Sequence, residues 1–112
     1  MESQVLSAVV YRDGDLWIAQ GLEYDICAQA RTFPQLHTAF LEVIVANAAV
    51  CLELGREPLE GIDPAPQRFW NMYREARIRL QAEREPVRAP KPFRIPSYLL
   101  DYKLFDPVPM HA

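Results

Sequence analysis

Apolar and polar positions alternate at the start of the chain. Residues 4–11 and 15–20 are rich in β-branched and aromatic side chains, and they flank Arg12-Asp13-Gly14, where glycine supplies the positive φ that a tight turn needs. The pattern predicts a hairpin. In its second strand Leu16, Ile18 and Gln20 alternate with Trp17 and Ala19, and residues 25–31 form a third strand after a short Gly21-Leu22-Glu23-Tyr24 connection. Three consecutive strands give an antiparallel meander.

The period then changes from two to 3.6. Thr32 stands where an N-cap hydroxyl belongs, and Pro34 falls in the first turn, where a missing N–H costs nothing. Leu36, Phe40, Val43, Asn47, Val50 and Leu54 recur at steps of three and four, and Gly55 takes the C′ position, so a first helix is expected over 33–54 with that stripe against the sheet. Its other side is not polar. Val45, Ala48, Ala49 and Leu52 would meet water there, so a further layer or a second subunit is expected to cover them.

Residues 58–66 read as a linker with three prolines and Gly61, and Pro66 suits the start of a second helix over about 66–85. Phe69, Tyr73, Ala76 and Leu80 form its apolar stripe, and Glu75–Arg79 and Arg79–Glu83 are pairs of i, i+4 type. From residue 86 on, six prolines argue against helix or a central strand and for an extended path. Ile95, Tyr98, Leu99, Leu100, Tyr102, Leu104 and Phe105 make this tail too apolar for water, so it should dock on the body or on another subunit. The expected fold is α+β: a three-stranded antiparallel meander packed by one long helix (β-β-β-α, residues 1–57), a linker and second helix (58–85), and an extended Pro-rich tail (86–112).

A chain of 112 residues, half of them apolar, suits one domain with a real core. The formal charge of −3 disfavours a general nucleic-acid binder, but it is unevenly spread. Residues 1–65 hold three basic and ten acidic groups, whereas 66–95 hold eight basic and three acidic. No basic n-region precedes the first apolar run, and the longest apolar stretch contains Glu42 and Glu53; a cytoplasmic protein without a membrane span is expected. Cys27 and Cys51 lack metal-site spacing and read as buried, reduced thiols.

Catalytic motifs with demanding spacing are missing: there is no phosphate loop, HExxH, nucleophile elbow or EF-hand, so neither an enzyme nor a cofactor is expected. Glu23 and Asp25 could pair as carboxylates, but they read more simply as turn residues. His37 falls off the helical stripe and reads as an exposed surface histidine. Asn47 could register a dimer seam, though a local bond to backbone is the plainer reading. Arg68, Arg74, Arg77, Arg79 and Arg84 interleave with Trp70 and Tyr73 as a nucleic-acid face would, but three glutamates partly neutralise them.

The run Val9-Val10-Tyr11-Arg12-Asp13-Gly14-Asp15-Leu16-Trp17-Ile18-Ala19 resembles the opening hairpin of HicB-like antitoxins. Residues 20–29 align with the segment that in that family reads Cys-Pro-Glu-Leu-Pro-Gly and a strand, with Leu22-Glu23-Tyr24-Asp25-Ile26 in its place. Thr32, Leu36 and Ala39 fall where the family's helix has its Thr cap, Leu and Ala. The resemblance covers about half of the chain. It implies a partial ribonuclease H-like fold without the metal-binding carboxylates, and a role in neutralising a small RNA-cleaving toxin. No helix-turn-helix or ribbon-helix-helix of the operator-binding members is recognisable in 66–112. The partner surface is expected at the sheet edge or at the region of Trp17, Glu23, Tyr24 and Asp25, for a small basic toxin-like protein. A homo-oligomer interface is expected at Val45, Ala49, Leu52, Tyr98, Leu100 and Tyr102. Rival readings are a self-assembling structural domain and nucleic-acid binding through the second helix.

Overall fold

The computed structural model describes residues 3–82 and 95–106. Its elements are β1 (Ser3–Asp13), β2 (Leu16–Gly21), β3 (Cys27–Ala30), α1 (Phe33–Glu53), α2 (Gln67–Glu75), β4 (Ile78–Leu80) and β5 (Ser97–Leu104). The fold is α+β, with one mixed five-stranded sheet in the order β3-β2-β1-β5-β4. The expected meander is therefore an incomplete account: β1, β2 and β3 are antiparallel neighbours, but β5 pairs parallel with β1, and β4 antiparallel with β5.

β1 lies at the centre, and its sequence shows why. Ala8, Val9 and Val10 are an unbroken apolar run, and all three are 0% exposed. A strand covered on both faces has no need of alternation. Leu6, Ala8 and Val10 belong to the larger core, under α1, while Val9 joins Leu22, Ala65 and Phe69 in a smaller core on the opposite face, under α2. The β1–β2 turn uses Gly14 at φ +60, the left-handed conformation that a two-residue hairpin loop demands at its first position.

β5 corrects the reading of the C-terminal region. Prolines 96 and 107 bracket Ser97–Leu104 and none falls within it, so the ladder loses no donor. Tyr98, Leu100, Tyr102 and Leu104 pack on the α1 face, and they alternate with Leu99, Asp101 and Lys103. Tyr98 and Tyr102 are core residues. The expected paths of 83–94 and 107–112 lie outside the described residues.

The second helix is also shorter than expected. It ends at Glu75, Ala76 is extended, and the chain turns into β4. Arg77-Ile78-Arg79-Leu80 has period two, and a partner strand in β5 lets that local pattern prevail over the helical one. The Glu75–Arg79 pair is thus replaced by a salt bridge from Arg79 Nη1 to Asp101 Oδ1 at 2.8 Å.

α1 starts and stops where its caps require. Thr32 Oγ1 accepts a hydrogen bond from Gln35 N, and Gly55, at φ +76, donates to Leu52 O while Arg56 N donates to Cys51 O, closing a Schellman motif. The buried face, however, is rotated from the expected one. Leu36, Phe40, Ile44 and Ala48, flanked by Leu41, Val45 and Ala49, meet the core, whereas Val50 is 53% and Leu54 63% exposed. Both stripes begin at Leu36 and Phe40, and they diverge because successive steps of four drift around the helix differently from alternating steps of three and four. Val45 and Ala49 are consequently inside the fold, not at a subunit interface. Asn47 Nδ2 bonds to Val43 O at 2.8 Å, the local arrangement.

The linker contributes to the core as well. Leu59 is 0% exposed despite a φ of +68, which costs a non-glycine residue on the order of 1 kcal/mol, less than burial of a leucine returns.

Gly21 holds a tight point where β2 ends. A Cβ there would sit 2.8 Å from Tyr24 O and 3.1 Å from Ile26 O, both backbone atoms that cannot swing away. Gly21→Ala should therefore lower stability by about 1–3 kcal/mol in chemical denaturation; an unchanged midpoint would contradict this packing.

Candidate functional site

The structure divides the four expected partner residues between opposite ends of β2. Trp17 lies next to the β1–β2 turn and Glu23 just past the far end, six residues along, or about 20 Å at the strand rise. They do not form one surface.

At the far end the polar groups serve the fold. β2 stops at Gly21, so β1 would lose a partner at Ser7; Glu23 Oε1 takes that place and accepts the Ser7 N–H at 2.7 Å, while Leu22 N donates to Ser7 O at 3.0 Å. The carboxylate continues the ladder. Asp25 Oδ1 accepts from Nε2 of the buried Gln20 at 2.8 Å, and Asp25 N donates to Asp63 O. Tyr24 Oη accepts from Gln4 Nε2 at 3.3 Å. Glu23 and Asp25 each hold a different internal donor, and neither is aimed with the other at a common point.

Trp17 belongs to a more open place. A cavity of about 510 Å³ at the hairpin end is lined by Tyr11, Arg12, Trp17, Met72, Leu104, Phe105 and Asp106. The Arg12 guanidinium lies 5.0 Å from the Trp17 ring centroid, and Trp17 leans on Phe33 with centroids 6.1 Å apart. Tyr11 stacks on Phe69 at 6.4 Å. Burial pushes the Tyr11 hydroxyl up from its ordinary pKa, so it stays protonated and able to donate. Asp13 and Asp15 are exposed in the adjoining turn. Three strands and α2 supply this lining, which is why only Trp17 was visible from the hairpin sequence; Met72 and Phe105 arrive through α2 and the end of β5.

A second cavity, about 720 Å³, lies beside the first turns of α1, against Phe33, Pro34, Gln35, His37, Thr38, Ala39, Glu42, Gln81 and Ala82. His37 is half-buried rather than exposed: its Nδ1 is 2.8 Å from Tyr102 Oη, and the two rings meet edge to face at 5.6 Å. Leu36 next to it points into the core and carries the helix onto the sheet, which swings His37 over Tyr102. Burial raises the Tyr102 hydroxyl pKa, so the phenol stays neutral.

The basic second helix is engaged internally. Tyr73 Oη donates to Asp101 Oδ2 at 2.6 Å, Trp70 Nε1 donates to Ala65 O at 3.2 Å, and Arg68 lies over the Phe69 ring. Arg74 bonds to Asn71, and Lys103 covers Tyr73. Arg84 lies outside the described residues. Cys51 is buried as expected, but Cys27 is exposed, because it opens the edge strand β3; both are thiols, and among the described residues no three of His, Cys, Asp and Glu converge as a metal site would require. Leu52 and Leu100, expected at an interface, are half-buried.

No protein-family model, curated protein or solved structure matches this chain.

Two substitutions test these assignments. Glu23→Ala strands the Ser7 N–H and should cost about 1–3 kcal/mol of folding stability; a carboxylate held for chemistry instead would leave stability unchanged on removal. Tyr98 is buried, and its hydroxyl has no hydrogen-bond partner among the described residues. Tyr98→Phe should thus raise stability by about 1 kcal/mol. Burial also pushes the Tyr98 hydroxyl from 10.0 up to about 12. A raised folded-state pKa means that the stabilisation is complete below the unfolded value and is lost as pH rises. Stability should fall from pH 10 towards 12, and fall less steeply in Tyr98→Phe; identical alkaline profiles would refute the assignment.

Proposed function

We propose that the chain is a non-catalytic protein-binding regulator of antitoxin type, acting in the cytoplasm, and that it holds a small basic partner at the hairpin-end cavity. The observation that carries this reading is the lining of that cavity. Trp, Tyr and Arg are the residues that dominate binding energy at protein interfaces, because they bury much area at little entropic cost and retain a polar handle. Tyr11, Arg12, Trp17, Met72 and Phe105 gather here around about 510 Å³. Asp106 lines the cavity, and Asp13 and Asp15 are exposed in the adjoining turn, which suits a partner with an apolar anchor set among lysines or arginines. The class of partner comes from the sequence resemblance of residues 9–29 to HicB-like antitoxins: a small RNA-cleaving toxin.

The internal duties of Glu23 and Asp25 favour binding over catalysis, since general acid–base work needs carboxylates directed at a substrate. In the same way Trp70 and Tyr73 spend their polar ends on the fold, which weakens the case for base stacking along α2.

The test is recovery of a small basic protein on the immobilised chain from its own cells, followed by calorimetry with that protein. Trp17→Ala should weaken binding at least about tenfold, or roughly 1.4 kcal/mol. The double variant Asp13→Lys with Asp15→Lys, at exposed turn positions, should slow association and reduce its salt dependence. Recovery of no such protein, or equal affinity for the Trp17→Ala chain, overturns the proposal.

A further inference from the structure

We draw no further inference here: the strongest candidate, the apolar surface formed by the uncharged edge strand β3 and the exposed Val50 and Leu54 at the C-terminal end of α1, carries nothing because nothing in the structure shows what covers it.

Discussion

The parallel pairing of β1 with β5 is the constraint on which the rest of the structure depends. It gives β1 neighbours along both edges, and it is what makes an uninterrupted apolar run at Ala8, Val9 and Val10 sustainable. β5 also brings Tyr98 and Tyr102 into the core on the α1 face, where Tyr102 meets Phe33, His37 and Phe40 of the 21-residue helix. The other face then needs a cover only over Val9 and Leu22, and the nine-residue α2 suffices. Asp101, on that face of β5, anchors α2 and β4 through Tyr73 and Arg79.

How much of this the sequence discloses depends on whether the deciding interaction is local. The hairpin turn at Gly14, the Thr32 cap and the Gly55 terminus each depend on a few adjacent residues, and each is found where chain chemistry puts it. The buried face of α1 is not local in this sense. Apolar side chains surround the helix, and periodicity admits two stripes that share Leu36 and Phe40; the choice rests on which neighbours arrive. β4 and β5 need each other and β1 to exist at all, so residues 77–80 look helical in isolation, and a count of prolines conceals an unbroken eight-residue strand. Leu59 gave no signal, since it lies in a segment whose composition reads as connection.

The candidate site divides along the same line. Trp17 announces itself as an aromatic beside a turn, but its companions Met72 and Phe105 come from distant parts of the chain. Glu23 and Asp25 stand close in sequence and suggest a carboxylate pair, yet each is committed to a different donor, one completing a strand ladder and one satisfying a buried glutamine. His37 looks like surface until Tyr102 is placed against it. A polar residue's type names the chemistry open to it, and the partner that arrives from elsewhere decides which part of that chemistry is used.

The union of the first strand with one that begins almost a hundred residues later also governs the order in which the molecule can be completed. During synthesis the hairpin and α1 emerge early, but the flank of β1 that β5 occupies stays unpaired until residue 104 has left the ribosome. Through that interval the nascent chain displays an apolar strand with an open side, the kind of template on which unfinished chains adhere to one another. Closing the sheet therefore comes late in the emergence of these residues as well as standing at the centre of the architecture, and the exposure of β1 lasts as long as β5 takes to find its place.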